Sequence, residues 1–346
     1  MTTLLEARYR TVLRLLPDYY RRAREEEMVE VYLWDLDRDT QDQSRPTLGE
    51  VASVAALAVR TRLAAAGAPR PYVLLGSAVR HFALFAVLLQ AATAVVDRVL
   101  QLTWASTHGA REWDLFLSGF AGHGPTPAVV EIAVWVLPLL WPVGFFALVH
   151  DRRRLAQVAV RLAALPSLWP LAGPLLSGTV PGAPWFAAAF ALFAWASALA
   201  LCAGHHRDAP AALLPAGSPG LVFAACCVVT GASEVLLPAM ADAAWAPATC
   251  FVVGTLGWLV WHTRRADRSA ACGAPALAAL GLLLLAVRVA TLYTWLGVPV
   301  PAALVGGALA QAVVLTLLVV GLGVVARRDL GPRGGGPHAA DVTRGT

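Results

Sequence analysis

The chain has 346 residues, 58% of them hydrophobic and 14% charged, with a mean hydropathy of +0.62. Soluble globular proteins carry about 25% charged residues, and the shortfall here is uneven: residues 1–70 hold 11 of the 27 cationic and 11 of the 22 acidic side chains. The remainder is too apolar for a water-facing surface, which excludes a secreted enzyme, a nucleic-acid-binding module and a collagenous or disordered chain. A membrane-embedded body is indicated instead.

The net charge of +5 belongs to that body, because the first seventy residues balance. No nucleic-acid footprint is therefore expected. Every formal cation is Arg. The five cysteines, Cys202, Cys226, Cys227, Cys250 and Cys272, form no C-x-x-C, so zinc and disulfide frameworks fail on spacing and small buried hydrophobes are expected. The N-terminus lacks the basic and apolar regions of a signal peptide, which assigns residues 1–70 to the mature chain and to the cytoplasm.

In chain order, the first expectation is a cytoplasmic three-helix interaction domain over 1–70. Thr3-x-x-Glu6 is a capping-box pattern opening a helix that Pro17 stops. A second helix runs from Asp18 to about Leu36, a polar loop covers 37–46, and Thr47-x-x-Glu50 caps a third. Ala68-Pro-Arg-Pro71 reads as a linker. So small a domain is marginal alone and needs a partner, a second copy or the membrane body to bury its apolar faces.

The fold class expected is all-α: about eight transmembrane helices, within residues 71–328, ahead of a disordered cytoplasmic tail at 329–346. The spans fall near 78–102, 128–149, 156–178, 184–204, 220–240, 246–262, 275–297 and 300–325, with Pro166, Pro170 and Pro174 breaking the third. With the N-terminus inside, the predicted cytoplasmic stretches carry Arg152, Arg153, Arg154, Arg207, Arg264, Arg265, Arg268, Arg327, Arg328, Arg333 and Arg344. Only Arg98 and Arg111 fall in predicted outer loops. Trp104, Trp113, Trp185, Trp245 and Trp295 lie near the opposite ends, as an aromatic belt should. Both termini are thus expected in the cytoplasm and the protein in the cell membrane. Val180-Pro181 before span four and Val298-Pro299 before span eight suggest a parallel duplication of four spans, as do His150-Asp-Arg-Arg and His262-Thr-Arg-Arg. Chance similarity between apolar helices explains them equally.

Four charged residues, Asp97, Glu131, Glu234 and Arg288, are expected at similar depth in the outer third. A charge at the bilayer centre costs about 2.5–3.5 kcal/mol on insertion scales, so Arg288 needs a partner, Glu234 or Glu131. The cluster reads either as an ion or ligand site in an outward-facing cavity or as an ion pair that fixes helix packing. Arg80, His81 and Arg161 sit near the cytoplasmic edge, where arginines snorkel to water. The stretch 103–127 holds His108, Glu112, Asp114 and His123 without regular metal-ligand spacing, and reads as a solvated loop. No metal and no cofactor is expected.

Enzyme signatures are missing from the sequence. There is no His-Glu-x-x-His and no P-loop. Gly231-Ala-Ser-Glu234 departs from the Gly-x-Ser-Gly of intramembrane serine proteases, and no later span carries a His to act as base. A non-enzymatic protein is expected.

Arg14-Leu-Leu-Pro17, Tyr20-Arg21, Glu26-Glu-Met28, Arg45-Pro-Thr-Leu48-x-Glu50 and Arg60-Thr-Arg-Leu63 resemble the short helical domain heading many uncharacterised multi-pass membrane proteins of actinobacteria. That domain is similar to HAAS-type signalling domains, whose genes tend to lie beside transcriptional regulators. The resemblance covers residues 4–64 and offers no catalytic residues. It implies a cytoplasmic interaction role.

The leading reading is a regulatory or signalling membrane protein whose N-terminal domain binds a partner, either a cytoplasmic regulatory protein or a second copy of itself, while its body contacts the lipid bilayer. Candidate partner-binding residues are Leu13, Leu16, Tyr20, Met28, Val31 and Trp34, which serve equally as that domain's own core. The rival is a transporter or permease subunit for a small molecule, built on the intramembrane charges.

Overall fold

The computed structural model describes residues 4–34, 45–63, 68–121, 127–176, 178–179, 182–206, 218–264 and 272–330. Thr3, positions 37–44, His123, Val180, Pro181, Arg207, Arg265, Arg268 and the tail from 331 lie outside the described residues. Every regular element among those described is a helix, and seven helical stretches are long and apolar enough to cross a membrane. The protein is an all-α polytopic membrane chain.

The N-terminal domain consists of α1 (Leu4–Leu13), α2 (Asp18–Trp34) and α3 (Leu48–Arg62). The capping box forms as the sequence predicts. The Thr47 hydroxyl accepts from the Glu50 N–H at 3.2 Å, and the Glu50 carboxylate accepts from the Thr47 N–H at 2.7 Å. Tyr9, Leu13, Leu16, Val29, Val54 and Ala58 close a small core, with the Tyr9 and Tyr32 rings stacked 3.9 Å apart. The domain rests on the membrane body. The Tyr19 hydroxyl donates to the Thr61 carbonyl at 2.6 Å and its ring lies 5.3 Å from that of Tyr72. The backbone of Leu63 sits so close to Gly76 that a methyl group there would overlap the Leu63 carbonyl.

Beyond that junction α4 (Arg70–Thr107) runs for 38 residues. The expected linker is shorter than the sequence suggests, because Pro71 falls in the first helical turn, where its missing N–H leaves no bond unmade. A further surprise is α5 (Ala110–Phe120), an amphipathic helix where a solvated loop was expected. Its Phe116 and Phe120 pack edge-on against Trp135. The pattern Trp113, Phe116, Phe120 has helical spacing; the interspersed charges obscured it.

The second span is α6 (Ala128–Val136), a 3-10 turn at Pro138 and α7 (Leu140–Val149). The third is α8 (Arg153–Ala164), a 3-10 turn at Pro166 and α9 (Trp169–Leu176). In each, the proline removes an N–H and crowds the preceding turn, so the ladder tightens locally. Then follow α10 (Pro184–Gly204), α11 (Pro219–Leu236), α12 (Trp245–Arg264), α13 (Gly273–Thr294) and α14 (Ala302–Leu330). Of the eight expected spans, seven meet the length and apolarity of a crossing helix. The eighth, α12, has the length, but Thr249, Thr255, His262, Thr263 and Arg264 make it more polar.

Helix α4 forms the wall shared by two hydrophobic clusters. On one side Ala83, Leu84 and Val87 pack with Trp141, Phe145, Val160 and Leu201. On the other, Ala86 and Leu89 pack with Phe251, Leu280, Leu284 and Leu315. Lipid gives apolar side chains no reason to leave it, so helix association relies on close packing. Gly281 supplies that on α13: a methyl there would press on Val319 of α14 and Phe251 of α12.

Candidate functional sites

Arg288 of α13 is 0% exposed and is the largest fully buried side chain among the described residues. Its Nη1 donates to Asp242 Oδ2 at 2.5 Å, and its Nη2 donates to Gln311 Oε1. Gln311 of α14 in turn donates from Nε2 to the Trp245 carbonyl at 3.0 Å and to Thr249 Oγ1 at 2.9 Å. The Trp245 indole donates to the Ser233 carbonyl at 3.1 Å, and the Ala244 N–H donates to Asp242 Oδ1 at 2.8 Å. One arginine thus ties α11, the loop after it, α12, α13 and α14 together.

The expected partners, Glu234 and Glu131, are not the ones used. After Leu236 the helix stops and the chain turns back over Leu237–Ala241, which brings Asp242 against α13. Asp242 falls between the expected spans at 220–240 and 246–262, and the sequence reading named neither it nor Gln311. The signal available was Gln311 itself, an amide in an otherwise apolar helix. Breaking a buried ion pair from one side costs about 3–5 kcal/mol, because the remaining charge is stranded.

The other members of the expected cluster lie elsewhere. Asp97 on α4 and Glu234 on α11 lie close to where these helices touch, a methyl on Gly231 reaching 3.6 Å from Val96 Cγ1. Glu131 stands against α5, its Cγ 3.5 Å from where a Gly119 methyl would be. Arg98, expected in an outer loop, is inside α4. It donates to the Val134 carbonyl at 3.2 Å and to Gln101 at 2.7 Å, and its guanidinium lies 5.7 Å from the Trp135 ring centre. The four predicted residues therefore occupy three separate places. Among the described residues, no three His, Cys, Asp or Glu side chains converge as a metal would require.

In the N-terminal domain the six candidates divide. Leu13 and Leu16 are buried in the domain's own core. Tyr20 and Met28 are half-buried and, with Val31, Tyr32 and Glu50, line a groove of about 430 Å³. Val31 is 67% exposed and Trp34 is 86% exposed. Tyr32 donates to Glu50 at 3.3 Å, and its burial, followed by the nearby Glu50 charge, raises its pKa.

Two features were not anticipated. An apolar cavity of about 450 Å³ lies between α4, α11, α12 and α13, lined by Phe85, Leu88, Cys226, Phe251, Trp258 and Trp261 among others. Arg80, expected to snorkel to water, is instead buried against the end of α10, one turn from where Leu63 meets Gly76. His205, beside it, has its pKa lowered to about 4 by burial first, then by the charges of Arg80 and Arg153.

No protein-family model, no curated protein and no solved structure matches this chain.

Proposed function

We propose that this membrane protein is a non-enzymatic regulator that recruits a cytoplasmic partner protein through its N-terminal three-helix domain. The observation that carries this reading is the exposed apolar end of α2. A tryptophan and a valine left in water beside a groove of half-buried Tyr20 and Met28 offer the anchors that protein interfaces use. The groove also carries Arg24, Glu27 and Glu50, a mixed-charge rim suited to an amphipathic helix. The resemblance of residues 4–64 to HAAS-type domains favours the same role, with a regulatory protein as partner and a second copy as the alternative occupant. The arginine distribution supports a cell-membrane protein with its N-terminal domain in the cytoplasm.

A second reading, a transporter or permease subunit, has one specific observation in its favour: two carboxylates, Asp97 and Glu234, stand within three residues of the Gly231–Val96 contact between α11 and α4, inside spans where unpaired carboxylates are costly.

The test is co-purification in mild detergent with mass spectrometry, comparing the full chain with a variant carrying Val31→Ala and Trp34→Ala. Loss of a stoichiometric soluble protein supports recruitment. Identical partner lists overturn it, and dependence of function on Asp97 or Glu234 then selects transport.

A further inference from the structure

The end of the body next to the N-terminal domain gathers cations from several helices. Arg80 stands one turn after Gly76 on the same face of α4. Its Cγ packs on the close of α10, where a methyl on Gly204 would lie 3.3 Å away. His205 follows immediately as the residue that ends α10. From the start of α8, Arg153 Nη1 donates to the His206 carbonyl at 2.6 Å, and Gln157 Nε2 donates to the His205 carbonyl at 3.2 Å.

Those two bonds take carbonyls at the α10 terminus that would otherwise receive a cation. Arg80 is 5% exposed and its Nη1 has no hydrogen-bond partner; His205 is 3% exposed and neither ring nitrogen has one. The electrostatic neighbours of Arg80 are the Cys272 thiol and the like-charged Arg153, and no carboxylate among the described residues pairs with it.

A guanidinium cannot shed its proton, and an unpaired charge removed from water costs several kcal/mol. The usual escape is to reach for the interface. Here Leu63, the residue that ends α3, lies against Gly76 one turn earlier, and Arg80 is left 5% exposed. The negative end of the α10 dipole offsets only part of a unit charge. Asp151 at this end is taken by Arg153 at 2.7 Å, and among the described residues no oxygen meets the Arg80 Nη1.

We propose that the seam between α3, α4, α8 and α10 binds a phosphate group, held by Arg80 and His205. A tetrahedral oxyanion accepts from the orphaned Nη1 and, once His205 takes up a proton, from its ring nitrogens. Two sources share this chemistry, the headgroup of an anionic phospholipid and free phosphate. Leu63 of the N-terminal domain lies against Gly76, one turn from Arg80, so occupancy steadies that junction. This site stands apart from partner recruitment at Val31 and Trp34, and either reading survives failure of the other.

The experiment is a thermal melt of the full chain in phosphatidylcholine nanodiscs, with a titration of inorganic phosphate and, separately, with phosphatidic acid in the disc. Wild type gains melting temperature with at least one of them, as ligand linkage requires. Response to phosphate identifies a soluble anion; response to phosphatidic acid alone identifies the lipid headgroup. Arg80→Met melts no lower than wild type when no anion is present, since an apolar side chain replaces a stranded charge, and it shows no anion-dependent rise. If Arg80→Met does not fold, His205→Gln serves, with a rise at least halved. A wild type that responds to neither probe overturns the site, as does an equal rise in wild type and variants.

Discussion

Two arginines among the described residues are buried in the helical body, and the two ends of the body treat them in opposite ways. Arg288 meets a carboxylate, an amide and, through that amide, a carbonyl and a hydroxyl. Arg80, at the end under the N-terminal domain, meets the packed end of α10 and no carboxylate among the described residues. Some fifteen residues of α13 separate Arg288 from Cys272, the neighbour of Arg80, or roughly 24 Å along a helix. Each arginine keeps one buried nitrogen without a partner, Nε of Arg288 and Nη1 of Arg80, so what separates them is the counter-ion: a paired charge costs much to break, and an unpaired one invites a ligand. Burial of a charge says nothing of its role until its partners are counted.

The largest effect is expected from Asp242→Leu. It strands Arg288 and costs about 3–5 kcal/mol, read as loss of the folded fraction in detergent titration. The double variant Asp242→Leu with Arg288→Met recovers most of that loss, whereas Glu234→Gln with Arg288→Met behaves as Arg288→Met alone. Recovery with Glu234 and not with Asp242 would break the pairing.

Acidification addresses the other end. The folded-state pKa of His205 is about 4, against about 6.5 for an unperturbed imidazole. Between those values the unfolded chain binds the proton and the folded chain does not, so stability falls as pH drops from 6.5 to 4 and is level above 6.5. The cations facing the ring are Arg80, Arg153 and His81. The loss is on the order of 3 kcal/mol at pH 4, measured without phosphate as the difference in melting between wild type and His205→Gln. A flat difference would show that the ring is not held neutral.

Gly76→Ala should follow, at about 1–3 kcal/mol. The methyl collides with backbone at Leu63, which cannot swing aside as a side chain can, so α3 lifts from α4. Protease sensitivity near residue 63 rises while the body melts unchanged; unchanged cleavage would argue against a tight seam. The smallest effect on stability belongs to Trp34→Ala, within about 0.5 kcal/mol for an exposed side chain, and it is read by thermal melting alongside the partner-binding assay.

Much of the architecture followed from local chemistry. Hydropathy alone located seven crossing helices of the eight expected, Thr47 and Glu50 announced the start of α3, and prolines marked the break in the third span. These features depend on neighbours within a turn or two, or on the length of an apolar run, and so are written in consecutive residues. The amphipathic α5 was legible too, in Trp113, Phe116 and Phe120, but its charges drew the reading toward a loop.

Contacts between distant residues were another matter. That Arg288 needed a partner followed from the energy of a charge in hydrocarbon; that the partner is Asp242, from a loop 46 residues away, and Gln311, from the next helix, did not. Sequence depth ranked Glu234 and Glu131 ahead because depth is one coordinate, whereas an ion pair also requires the right helix face and neighbour. The same holds for Arg80, whose position predicted an easy path to water. Only the packing of α3 on Gly76 and of Gly204 on its side chain closed that path, because burial is a property of what surrounds a residue and not of the residue itself.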